Sequence, residues 1–145
     1  MLEIRFSLAP IDDDLSEFEL GDIEIKIENQ IISSKNKSPN QSMMIFISIS
    51  ELLSGTTRMI NSKEQEYRFV GVGSSFTFLL RKKKTKKRAY LIYRKHKYEV
   101  SLIEFAIELQ RSVKDFLDIN KWVFDRNEGV INDLCTALDT LSELC

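Results

Sequence analysis

The chain has 145 residues, 43% of them hydrophobic and 30% charged, with 21 Lys+Arg against 22 Asp+Glu. This length suits one domain with a substantial core, and the composition is that of an ordinary soluble globular protein. The opening MLEIRFSLAPIDDD lacks a cationic start and a long apolar run, so no secretory leader is expected. The most apolar run, Met43 to Ile49, is far too short to span a bilayer, so no membrane contact is expected. Cys135 and Cys145 lie on one helical pattern, about 15 Å apart along a straight helix, too far for a disulfide. Free thiols and a cytoplasmic protein are therefore expected.

Near-neutrality hides a separation of charge. Arg81–Lys97 (RKKKTKKRAYLIYRKHK) holds ten Lys/Arg and no carboxylate, leaving 11 bases against 22 acids elsewhere, a net of −11. Up to Ser34 the chain carries nine carboxylates against Arg5 and Lys26.

Leu2 to Leu8 alternates, with Leu2, Ile4, Phe6 and Leu8 on one face, which predicts a half-buried strand. Asp22 to Glu28 alternates again, and a turn near Asn29-Gln30 leads into Ile31-Ile32-Ser33, giving an antiparallel hairpin. Ser34 to Ser42 (SKNKSPNQS) reads as a polar loop and the segment most suited to disorder. Met43 to Ile47 fits either a strand or the first turn of a helix. Ser48 with Glu51 matches a capping box, so a helix is predicted over 48–60, with a start as early as Met44 allowed.

Strands follow over Glu66–Val72, Ser75–Arg81 and Arg88–Arg94, with Lys82–Lys87 as a hairpin loop and Tyr98–Val100 as a short extra strand. Ser101 and Glu104 form a second capping box, and Leu102, Phe105, Ala106, Leu109, Val113, Phe116 and Leu117 make an apolar stripe, predicting a helix over 101–119. A last helix is predicted from Asn127 or Glu128 to Leu144, with Trp122 and Phe124 in the connection. Without βα alternation, this order predicts an α+β domain over 1–145. Its antiparallel sheet would have about five or six strands, with one inserted helix and two C-terminal helices.

Few catalytic constellations are available. His96 is the single histidine, which excludes triads and multi-histidine metal sites; the plain alternative is a solvated turn residue. Gly71-Val72-Gly73-Ser74-Ser75 lacks the following lysine and helix of a phosphate loop, so turn chemistry is expected. Asp22-Ile23-Glu24-Ile25-Lys26, with Asp12, Asp13 and Asp14 upstream, resembles the metal-binding core of restriction-type nucleases, but charges alternating on the wet face of a strand produce the same string. The basic segment interleaves Tyr90 and Tyr93 with Arg88 and Arg94, a pattern compatible with nucleic acid, with an acidic protein, or with a solvated hairpin tip. The acidic N-terminal third is equally compatible with a basic partner or with solubility alone.

The chain runs through a hairpin (LEIRFSL, DIEIKIEN), a helix with ISELL, strands with YRFVGVGSSFTFLL and YLIYRK, then YEVSLIEFAIELQRSVKDFL. This layout resembles that of small bacterial immunity proteins of polymorphic toxin systems. The resemblance covers roughly residues 1–119 and implies a cytoplasmic, non-catalytic protein that binds a cognate toxin domain and uses no cofactor or metal. Candidate partner-binding residues are Lys82, Lys83, Lys84, Lys86, Lys87, Arg88 and Arg94 on the basic segment, with Asp12, Asp13, Asp14, Glu17 and Glu19 on the acidic one. The alternative is a nucleic-acid-associated module that binds through Arg81–Lys97.

Overall fold

Strand β1 (Leu2–Leu8) pairs antiparallel with β2 (Leu20–Ile27), setting Ile4 opposite Ile25 and Phe6 opposite Ile23. The computed structural model describes residues 2–9, 18–84, 87–120 and 129–145. The far side of β2 is shared by β3 (Gln30–Ser33) and the two-residue β4 (Met43–Met44), completing a four-stranded sheet. Helix α1 (Ile45–Asn61) follows, then a second four-stranded meander of β5 (Glu66–Val70), β6 (Thr77–Lys82), β7 (Arg88–Tyr93) and β8 (His96–Ser101). Helices α2 (Leu102–Asn120) and α3 (Gly129–Ser142) close the chain.

The α+β class and antiparallel pairing are as the patterning requires, but the strands divide between two sheets. The division falls at α1, which interrupts the run of strands and packs against β2, β4, β5, α2 and α3. A backbone bond ties the first sheet to the turn that follows β5: the amide of Met44 donates to the carbonyl of Val72 at 2.9 Å. Buried side chains from both sheets and all three helices form one continuous cluster. Phe6, Phe46 and Phe116 stack through it, with ring centroids 6.1 Å and 5.4 Å apart, joining β1, α1 and α2.

Helix α1 starts before its expected cap. Ser48 is not an N-cap but a buried residue of the first turns, and its Oγ accepts the amide of Val72 at 2.9 Å. The amides at the true start are held by distant backbone, with that of Ile45 donating to the Glu19 carbonyl at 3.1 Å. Tertiary bonds here replace the local cap that a free helix end needs. At α2 the expected cap is present, the Glu104 amide donating to Ser101 Oγ at 3.3 Å. Trp122, Phe124, Asn127 and Glu128 lie outside the described residues.

The polar loop after β3 is tied down rather than loose. Asp22 is almost fully buried, and its Oδ1 accepts the hydroxyls of Ser34 and Ser42, each at 2.9 Å. Ser34 also exchanges bonds with Ile23, accepting its amide at 3.1 Å and donating its own amide to the Ile23 carbonyl. Both ends of the loop are therefore fastened to β2.

The outer edge of β1 is closed by α2. The Ile4 amide donates to Glu108 Oε2 at 2.8 Å, and Arg111 grips the same carboxylate through two nitrogens at 2.6 and 2.7 Å. Burial pushes the Glu108 carboxyl up, but the Arg111 and Ile4 hydrogen bonds outweigh it and hold the group below its ordinary value of 4.5. A depressed carboxylate stabilises the fold above its unfolded value and loses that contribution as pH falls through the folded one. Glu108→Ala is expected to cost about 2 kcal/mol at neutral pH, the range for a hydrogen bond to a charged acceptor. In Glu108→Gln, the drop in urea midpoint on acidification below 4.5 should be shallower than in wild type.

Candidate functional site

In the second sheet, strand alternation sends Tyr67, Phe69, Phe78, Leu80, Ala89, Leu91 and Val100 into the core. The residues between them form the solvent face, and the register sets them in rows. Glu66, Arg81, Tyr90 and Glu99 make one row across the four strands; Arg68, Leu79, Ile92 and Lys97 make the next. Leu79 is almost covered, Ile92 is half-buried, and Val70 beside them is 48% exposed. The result is a cationic face with an apolar strip through it.

Glu99 organises the charges. Its carboxylate receives Lys83 Nζ on Oε1 and Arg88 Nε on Oε2, the latter at 2.7 Å. The Lys83 hydrogen bond, then that of Arg88, lowers the Glu99 carboxyl below its ordinary value, while the same Glu99 bond raises the Lys83 ammonium. The Tyr90 ring sits between two ammonium groups, Lys97 Nζ at 4.6 Å and Lys83 Nζ at 5.2 Å from its centroid. Arg81 Nε pairs with Glu66 Oε1 at 2.7 Å. Lys82 turns its ammonium to the Ser62 carbonyl at 3.1 Å.

Of the predicted basic residues, Lys83, Arg88 and Arg94 join this face. Lys84 and Lys87 are exposed at the hairpin tip, and Lys86 lies outside the described residues. Of the acidic candidates, Glu19 precedes β2 and lends its carbonyl to the α1 start; Asp12, Asp13, Asp14 and Glu17 lie outside the described residues. The described part of the first sheet is not an acidic face: Glu3 lies opposite Lys26 and Arg5 opposite Glu24, a balanced checkerboard. Arg68 was missed as a site residue because its strand carries no run of charge, and Ile92 because it is an apolar residue within the basic segment. Only the register brings them together, although the phase of Arg68 between Tyr67 and Phe69 already marks it as outward.

The other motifs resolve into structure. Gly71 to Ser75 is the turn between β5 and β6, closed by a Ser74 amide to Gly71 carbonyl bond at 3.0 Å, with Gly73 at φ 74°. In the nuclease-like string, Asp22 is committed to the serine hydroxyls, and Glu24 and Lys26 face Arg5 and Glu3 across the pair. His96 is exposed beside Tyr98. Among the described residues no three His, Cys, Asp or Glu side chains are grouped to hold a metal ion. No helix among them is long and apolar enough to cross a membrane. No protein-family model, curated protein or solved structure matches the chain.

Proposed function

We propose that this chain is a non-catalytic cytoplasmic binding protein of the immunity type, neutralising a cognate bacterial toxin by direct contact through the solvent face of its second sheet. The observation that carries this reading is the composition of that face. Arg68, Arg81, Arg88 and Lys97 surround Tyr90, Ile92 and Val70 on a four-stranded scaffold. Arginine and tyrosine around a small apolar centre are the residues that dominate protein–protein affinity, because they combine desolvated area with directed hydrogen bonds. The excess of cations selects a partner whose contact surface is acidic and speeds its approach. The resemblance of the sequence layout to immunity proteins is what suggests a toxin as that partner.

Nucleic acid is the second reading, favoured by Lys84 and Lys87 at the hairpin tip. Its stacking component is weakened by Tyr90, whose ring already has two ammonium groups against it.

A toxin with a C-terminal effector domain is expected in the neighbouring coding sequence, and the test is to co-express that domain with this chain. Wild type should restore growth and form a complex. The double variant Arg68→Glu/Arg81→Glu should fold, weaken the complex by about thirtyfold or more, and fail to protect, in keeping with loss of a hot spot. If wild type neither binds nor protects, the toxin reading falls. Salt-sensitive retention of RNA that vanishes in Lys84→Gln/Lys87→Gln would put the second reading in its place.

A further inference from the structure

At one end of the cationic face a cleft of about 250 Å³ opens beside β6 and β7, lined among others by Gln41, Arg68, Phe78, Ile92, Tyr93 and Arg94. We infer that this cleft is an anchor site for a carboxylate side chain, Asp or Glu, carried by an extended segment of the protein partner. The inference rests on the reading that this face meets a protein, and it adds the chemistry of the anchor.

Three observations point to that occupant. First, two guanidinium groups line the cleft and no carboxylate does. Among the described residues Arg68 has no ion pair, unlike Arg81 and Arg88 on the same sheet. Arg94 has its Cζ 5.3 Å from the Tyr93 ring centroid, and that ring packs on Phe76 at 5.7 Å, so the guanidinium is held in place before any ligand arrives. Two guanidinium groups without a competing acid suit a carboxylate, which accepts a parallel pair of bonds from one fork and a further bond from the other.

Second, the side-chain carbonyl of Gln41 is buried and receives no hydrogen bond among the described residues. Its backbone is pinned, since the Gln41 carbonyl accepts Ser74 Oγ at 2.7 Å and Asp22 holds Ser42 next to it. A buried acceptor without a donor is costly, and rotating the Gln41 side chain toward the cleft that it lines lets a ligand's main-chain N–H supply one. A bare carboxylate would not supply that donor, whereas a peptide carrying one does.

Third, size argues against an independent small molecule. Sites that enclose whole ligands usually run to roughly 300–1,000 Å³. This cleft is smaller and has an apolar floor of Leu79 and Ile92, which suits one projecting side chain and its apolar neighbour.

The experiment titrates the ¹⁵N-labelled full chain with the blocked tripeptide acetyl-Ala-Asp-Leu-amide, with its Asn counterpart, and with sodium acetate. The Asp peptide should shift the amide signals of Arg68, Thr77, Ile92 and Arg94 saturably. The Asn peptide should bind about tenfold more weakly or worse, as expected when a charge-assisted bond is lost. Arg68→Gln, Arg94→Gln and Gln41→Leu should each weaken the Asp peptide while leaving the dispersed spectrum of the folded chain unchanged. The anchor is overturned by the absence of saturable shifts, by equal binding of the Asn peptide, or by acetate matching the peptide, which would make the cleft a site for small free anions. If a toxin is neutralised and its affinity is indifferent to Arg68→Gln and Arg94→Gln, the anchor falls and the toxin reading stands. If the Asp peptide binds as described and no toxin does, the anchor stands alone.

Discussion

Gly55→Ala should destabilise the protein by about 3 kcal/mol or more, although the same change in an exposed helix gains roughly 1 kcal/mol. Gly55 is buried in the interior of α1, where a Cβ would lie 2.1 Å from Tyr67 Cζ and within 2.4 Å of two more ring atoms. The ring has little room to yield. Its hydroxyl donates to the Glu51 carbonyl at 3.0 Å, Arg58 Cζ lies 5.7 Å from its centroid, and its strand is held in register opposite Leu80. Expelling the ring would forfeit the burial of a large aromatic side chain, a loss of about 3–5 kcal/mol in comparable core truncations. Urea unfolding should show a lower midpoint with an unchanged slope, and Tyr67→Ala should cost much less in the Gly55→Ala background than in wild type, since the two sites share one contact. A Gly55→Ala protein as stable as wild type would refute the close packing of α1 on β5. The same burial, reinforced by the Glu51 charge and opposed by Arg58, raises the Tyr67 phenol far above its ordinary value of 10.0. Its contribution is therefore full below that value and is lost only in more alkaline solution.

Asp22→Ala should cost about 3 kcal/mol and loosen the loop after β3, whereas Asp22→Asn should cost roughly half as much. The carboxylate is 5% exposed, and one of its oxygens accepts both serine hydroxyls. Alanine leaves Ser34 and Ser42 without their shared acceptor. Asparagine keeps a carbonyl oxygen for them but not the charge. Two measurements separate the global and local effects. Urea midpoints report the first, and the rate of tryptic cleavage after Lys35 and Lys37 reports the second. Unchanged cleavage in Asp22→Ala would show that the loop is held by something other than this carboxylate. Because the loop carries Gln41 into the cleft, the same variant should weaken the Asp tripeptide more than Asp22→Asn does.

Much of the fold is legible in local patterning. Alternation at Leu2 to Leu8 and at Ile23, Ile25 and Ile27 places the first hairpin, and the apolar stripe from Leu102 to Phe116 places α2, with its Ser101 cap in position. These features are local, since side chains two apart on a strand or three to four apart on a helix share a face whatever surrounds them. The Ser48-Glu51 box misled for the complementary reason. A serine hydroxyl serves any donor in reach, and the donor that reaches Ser48 is Val72, 24 residues away.

The basic segment followed the same division. Its cationic character and hairpin form are written in the run of lysines between two alternating strands. The role proposed for it depends on side chains outside it: Glu99, which gathers Lys83 and Arg88; Arg68, set in one row with Ile92 through two strand pairings; and Gln41, delivered from a loop fastened by Asp22. Periodicity and charge depend on residue order alone, so they decided the strands, the helices and the presence of a cationic hairpin. Which strands share a sheet, which buried polar groups find partners and which arginines flank a cleft depend on pairings between distant segments. No single stretch of chain encodes those pairings, and the tertiary structure alone decided them.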